Sequence, residues 1–258
     1  MRGKFSPEEW ARVQEWKRNG YLPTLETLAK RLTAPLWWNE PENPDTVKRM
    51  QNGTVCIVHT GTRLIGVSAC HVHAAIADRL DSGASRWSQL GGHTFDPRAC
   101  LIDCDPRLDI VTYSLSEIQI NAANADIHHA PKWPPDVVVG DVYFVTGWPR
   151  ALTESSEGTR THKFLHFITK LAESSLTNLR LLTETSTSIG WGSEALPPGT
   201  DLGGMSGGAI YRLSETKLTE LTLVGLIYEY SEESEYVLAR PLSLVAEDGS
   251  IIRPRHGR

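Results

Sequence analysis

Asp201-Leu202-Gly203-Gly204-Met205-Ser206-Gly207-Gly208-Ala209-Ile210 sets one serine among four glycines, with an apolar run directly after it. Glycine costs conformational entropy, so such a cluster marks backbone that takes unusual angles or lies very close to something. A nucleophilic serine needs that setting. Its hydroxyl stands clear of the backbone while neighbouring N–H groups converge where an oxyanion forms. A glycine-rich turn that merely contains a serine fits the same stretch equally well, and the two readings separate only upstream.

There, Gly66-Val67-Ser68-Ala69-Cys70-His71-Val72 puts a histidine at the end of a short apolar strand, and Leu108-Asp109-Ile110-Val111-Thr112-Tyr113-Ser114-Leu115 opens another with a single aspartate. His71, Asp109 and Ser206 stand in that order along the chain. With these three motifs, the chain resembles the trypsin/chymotrypsin-like serine peptidases, particularly bacterial members with a small-Ala-x-His-Val motif. The resemblance runs from residue 53 to residue 242. It implies an all-β fold of two six-stranded antiparallel β-barrels, carrying here an N-terminal helical extension. It also implies Ser206 as nucleophile, His71 as general base and then acid, and Asp109 as the group that fixes the imidazole tautomer. The backbone N–H groups of Gly204 and Ser206 become the oxyanion hole. Neither a metal nor a cofactor is implied.

Rival residues lack the motif. His73 follows the same strand but not the Ser-Ala-Cys turn, and of Asp103, Asp105 and Asp109 only the last leads into Ile110-Val111. In the family, the residue six before the serine lies at the base of the first side-chain pocket. That is Thr200, with Asp201 beside it, while Tyr228, Glu229 and Tyr230 of the later strand form a wall and residues 232–235 an acidic rim. A neutral, moderately polar pocket is expected, with a preference for basic side chains as the alternative. Secreted members carry an aspartate directly before the serine, which pairs with a freed N-terminal amine. Met205 stands there, so activation by N-terminal insertion is not expected.

A net charge of −5 argues against binding nucleic acid through phosphate neutralisation, and no apolar run approaches the roughly 18 residues that span a bilayer. Residues 1–10 turn acidic where a signal peptide needs an apolar segment, so a cytoplasmic protein is expected. Cys56, Cys70, Cys100 and Cys104 are read accordingly as buried thiols. The family's disulfide beside the histidine does not transfer, because position 72 is valine, and Cys70 reads as a strand residue facing away from His71. A zinc site from Cys100 and Cys104 with His71 or His73 lacks a second close pair.

The expected organisation is a helical extension and Pro-rich linker over 1–48, a first barrel with His71 and Asp109 over 49–118, and a connector over 119–135. A second barrel with Ser206 covers 136–245, and 246–258 is a tail whose basic end frays. Residues 6–33 read as helical, starting at the cap Ser6-Pro7-Glu8-Glu9. They form either a clasp packed across the barrels or a docking element for a regulatory protein partner. Residues 35–44 read as a linker with two exposed tryptophans, Trp37 and Trp38, and 151–162 as loop. The resulting function is a serine endopeptidase acting on a protein or peptide substrate. The alternatives are a catalytically silent binding module on the same fold and an esterase or other acyl-transfer enzyme using the same three residues.

Overall fold

The structure, a computed structural model, describes residues 5–38, 51–85, 87–156, 159–182, 202–213, 221–231 and 236–254. Its N-terminal helices follow from their caps. Before α1 (Pro7–Arg18), Ser6 Oγ accepts the Glu9 N–H at 3.2 Å and the Glu9 carboxylate accepts the Ser6 N–H at 2.7 Å. Gly20, at φ 81°, turns the chain into α2 (Tyr21–Arg31), where Pro23 sits in the first turn and no N–H is required. Val13, Trp16, Leu22, Leu25 and Ala29 belong to one apolar cluster with Phe144, Trp148, Phe164 and Ile168. Lys170 adds an ion pair to Glu9 at 2.8 Å. Both helices therefore bury their apolar faces against the sheets.

The strand β1 (Thr33–Trp38) corrects the linker reading. It lies between β2 (Gln51–His59) and β4 (Ser88–Leu90), with Trp38 buried. Trp37 is half-buried against Trp87 and donates to the Gly91 carbonyl at 2.8 Å. Pro35 is tolerated because β4 pairs only from Leu36 onward, so the missing N–H falls beyond the ladder. Further along, β3 (Leu64–Ser68) leads into α3 (Cys70–Asp81), β5 (His93–Thr94) follows β4, and β6 (Leu101–Asp105) turns into β7 (Ile110–Ser114). The sheet runs β5-β4-β1-β2-β3-β7-β6, and β8 (His128–His129) adds to β2 in parallel. Between β7 and β8, α4 (Glu117–Ala122) starts at a capping box of Ser116 and Gln119.

The second half closes. The strands β9 (Val142–Gly147), β12 (Leu165–Ser174), β13 (Leu179–Leu182), β14 (Ala209–Leu213), β15 (Leu221–Ser231) and β16 (Tyr236–Pro241) form the barrel β12-β13-β16-β15-β14-β9. Residues 151–162, expected as loop, hold the hairpin of β10 (Thr153–Ser156) and β11 (Thr159–His162). Val137, Val138 and Val139, apolar enough for a strand, precede β9 outside any strand, with Val138 and Val139 exposed.

One closed barrel therefore stands beside a second sheet where two closed barrels were expected. With β4 and β5 counted as one position and β8 and the β10–β11 hairpin set aside, both halves follow the order 4-1-2-3-6-5. The first half stays open because its fourth position is only the short β4 and β5, which reach β1 but do not pair with β6. Ile76 of α3, Phe95 and Ile120 of α4 join the core of that sheet. The tail is anchored within the described residues. Arg253 is held to Asp103 at 2.7 Å and to Asp105 at 2.9 Å.

Candidate active site

His71 lies in the first turn of α3, where backbone N–H groups have no intrahelical acceptor. Ala69 offers no capping side chain, and Asp109 supplies one from the turn before β7. Its Oδ1 accepts the His71 N–H at 2.8 Å, and its Oδ2 lies 2.7 Å from His71 Nδ1. A carboxylate there also gains from the helix dipole. Holding Nδ1–H, it leaves Nε2 as the acceptor nitrogen of a ring that is half exposed. Asp109 takes φ 52°, a left-handed conformation that aspartate tolerates better than most residues. The Asp105 carboxylate shapes the turn before it by accepting the N–H groups of Arg107 and Leu108 at 2.9 and 3.0 Å.

Ser206 sits in a loop held from several sides. Gly204 and Gly207 take φ of 95° and 82°, and Met205 is buried against Gly147. The Ser206 carbonyl accepts the Thr54 N–H at 2.8 Å, and the Gly207 N–H reaches the Ile227 carbonyl at 2.7 Å. The Gly203 carbonyl accepts the Arg150 N–H at 2.6 Å, and the Gly204 carbonyl accepts Thr54 Oγ1 at 3.0 Å. In a trans peptide the C=O and N–H point opposite ways, so the first of these bonds turns the Gly204 N–H away from Arg150. Among the described residues the N–H groups of Gly204 and Ser206 meet no protein acceptor. Asn52 donates to the Trp148 carbonyl at 2.5 Å, while its buried Oδ1 lies where a Cβ at Gly204 would collide. Position 204 thus needs glycine twice over.

His71, Gly203, Gly204, Ser206, Gln51 and Asn52 line one cleft of about 480 Å³. Tyr228 and Glu229 line a different cavity of about 460 Å³, with Asn178, Arg180 and Tyr236. Tyr230 is half-buried against the barrel core, and Thr200, Asp201 and the rim at 232–235 lie outside the described residues. Burial and the neighbouring Glu229 and Asp109 charges raise the Tyr228 hydroxyl pKa, against the pull of Arg240. His73 is buried beside Tyr113, its hydroxyl 3.3 Å from Nδ1, and burial lowers its pKa. Sequence reasoning missed Asn52, Thr54, Arg150 and Arg240. Each acts across 53 or more residues of chain and none stands in a motif.

The thiol reading is corrected in part. Cys70 and Cys104 form a disulfide that ties the start of α3 to β6, while Cys56 and Cys100 are free. The argument from strand alternation fails because Cys70 is helical and buried. This bridge also takes Cys104 out of the zinc set considered above. Gly53 lies against Val72, whose methyl groups fill the place of any Cβ. Cys56 lies behind the serine loop, donating to the Gly207 carbonyl at 3.2 Å, and burial pushes its pKa up. Among the described residues no group of three or more His, Cys, Asp or Glu side chains is placed to hold a metal, and no helix is long and apolar enough to cross a membrane.

No protein-family profile matches the chain, and no curated protein does. Among solved structures, the chain is similar to a thermostable serine protease, AL20, from an extremophilic microorganism, at 11% identity and a TM-score of 0.44, over 82% of this chain and 91% of that one. It is also similar to a structure concerning the coupled folding and binding, driven by aromatic interactions, of the intrinsically disordered Sesbania mosaic virus VPg protein. That match has 11% identity and a TM-score of 0.43, over 81% of this chain and 85% of that one.

Proposed function

We propose that the protein is a trypsin-like serine endopeptidase. Ser206 Oγ attacks the scissile carbonyl carbon, His71 Nε2 takes its proton, and an acyl-enzyme forms as the amine leaves with that proton. Water then enters by the same route in reverse and frees the acid. Asp109 keeps the proton on Nδ1 and offsets the charge of the imidazolium. The N–H groups of Gly204 and Ser206 stabilise the oxyanion. The observation that carries this reading is the double grip of Asp109 on His71, which leaves Nε2 to the cleft that Ser206 lines.

Met205 is consistent with a chain active without a new N-terminus. Its buried side chain takes the place of an ion pair in ordering the loop. Labelling with a fluorophosphonate probe and mapping the modified residue tests the nucleophile. Ser206 is the expected site, and Ser206→Ala is expected to lose labelling and about 10⁴-fold or more of hydrolysis while remaining folded. Labelling elsewhere, or hydrolysis unchanged in folded Ser206→Ala, defeats the proposal. Peptide and ester substrates of equal side chain, assayed side by side, separate a peptidase from an esterase.

A further inference from the structure

Arg240 reaches from the barrel to the turn that carries Asp109. It stands on β16 opposite Leu226. Its guanidinium lies 3.9 Å over the Tyr228 ring, and Nη1 donates to the Thr177 carbonyl at 2.9 Å and to Asn178 Oδ1. Tyr228 donates its hydroxyl to the same Asn178 oxygen at 3.2 Å. Stacking and these bonds fix the plane of the fork, and Nε then donates to the Leu108 carbonyl at 2.6 Å.

That carbonyl belongs to the peptide directly before Asp109, the residue held at φ 52°. A left-handed aspartate is an unfavourable local state, so the turn needs outside support to persist. Asp105 supports the N–H side of the turn from within the loop, and Arg240 supports the carbonyl side from the opposite half of the molecule. We infer that Arg240 is a positioning residue that holds the Leu108–Asp109 peptide so that the Asp109 carboxylate meets both the backbone N–H and Nδ1 of His71. It touches neither His71 nor Ser206 through any bond described above. Lysine replaces it only in part, because a point charge on a flexible stem can reach the Leu108 carbonyl but lacks the planar fork that stacks on Tyr228 while bonding two sides.

This inference rests on the peptidase reading, and one experiment separates the two. Wild type, Arg240→Gln and Arg240→Lys are compared for kcat and KM on one peptide substrate. Proton NMR follows the far-downfield resonance of the proton between His71 Nδ1 and Asp109 Oδ2. Misplacing a reacting group by about 1 Å costs on the order of 100-fold, so Arg240→Gln is expected to lose about 10- to 100-fold in kcat with KM within about threefold. The resonance should broaden or move upfield in parallel, and Arg240→Lys should recover part of both. A folded Arg240→Gln with wild-type kcat and an unmoved resonance overturns the inference. If Arg240→Gln does not fold, Arg240→Lys decides: a lower kcat with a shifted resonance supports the inference, and wild-type values of both overturn it. A wild type that neither hydrolyses peptide nor reacts with the probe overturns the peptidase reading instead, while the resonance still reports whether Arg240 holds Asp109.

Discussion

The closed barrel and the open sheet repeat one strand order at two levels of completion. In the barrel every strand has two partners, and alternate residues such as Tyr143, Val145, Leu165, Phe167, Leu179 and Leu181 fill the interior. In the open sheet β6 pairs, among the described residues, only with β7, and discrete links add to it: the Cys70–Cys104 bridge and the ion pairs of Arg253. A ladder spreads stability over many bonds, whereas a discrete link is lost in one step. The open sheet supplies His71 and Asp109, and Ser206 sits on the loop entering barrel strand β14. The side of the site that carries His71 and Asp109 thus depends on a few removable contacts, and the side that carries Ser206 on a continuous ladder.

The largest effect should come from breaking the open side at its functional contact. Asp109→Asn keeps the size of the side chain but no longer enforces the proton on Nδ1, and a loss of about 10⁴-fold in kcat/KM is expected with the fold intact. Steady-state kinetics beside a circular dichroism spectrum reads both. A loss below tenfold would remove Asp109 from the mechanism.

Next is the bridge. Cys70 and Cys104 are 34 residues apart in sequence, and closing a loop of that length in the unfolded chain is worth roughly 4 kcal/mol. Thiol titration of denatured protein should count Cys56 and Cys100 before reduction and all four cysteines after it. Denaturant unfolding should show the loss of stability on reduction, with activity falling too, since Cys70 directly precedes His71. Four thiols before reduction would show that the open sheet has no such link.

What the sequence revealed follows the same division. Barrel strands such as β9, β12, β14 and β15 were legible because apolar residues alternate or run unbroken, and the serine loop announced itself through glycine. In the open half, β1 was hidden by Pro35 and by tryptophans that only tertiary packing buries. The failure of closure was hidden too, because it depends on the reach of β4 and β5. His71 and Asp109 were legible as motif residues. Thr54, Arg150 and Arg240, which hold the site's backbone, were not, since one hydrogen bond to a distant carbonyl leaves no local pattern. The bridge was misread because a strand was assumed at Cys70, where α3 begins.

Acid should act on both halves in a window set by two buried histidines. His128 in the open sheet and His166 in the barrel are each pushed down to about 4 by burial, with the nearby His129 charge adding to the effect at His128. His166 Nδ1 lies 3.6 Å from Glu26, whose own carboxyl is raised by burial despite Lys30. A depressed histidine binds fewer protons folded than unfolded, so stability is full above about pH 6.5 and falls as pH drops toward 4. The loss approaches roughly 3 kcal/mol per histidine. Denaturant midpoints between pH 4 and 7.5 should show this slope, and His166→Gln should flatten its share. An unchanged slope in that variant would put the acid sensitivity elsewhere.

The smallest effect tests whether ion pairing or the bridge holds the open edge. Arg253 holds the Asp103 carboxyl at about 2, aided by the Ile251 N–H. For a depressed carboxylate the stabilisation is present above its unfolded value near 4 and is lost as pH falls through 2. Both groups are partly exposed, so solvent screening reduces the pair to about 1 kcal/mol. Arg253→Ala should cost that much at neutral pH and nothing further near pH 2, where the wild type has lost the same contribution. Activity should stay within about twofold, because Asp105 still shapes the turn and Arg240 still holds the Leu108 carbonyl. The comparison is read from denaturant unfolding at pH 7 and near pH 2 beside kcat/KM at pH 7. A tenfold loss of activity in a folded Arg253→Ala would mean that the edge of β6, and not the brace from the barrel, sets the position of Asp109.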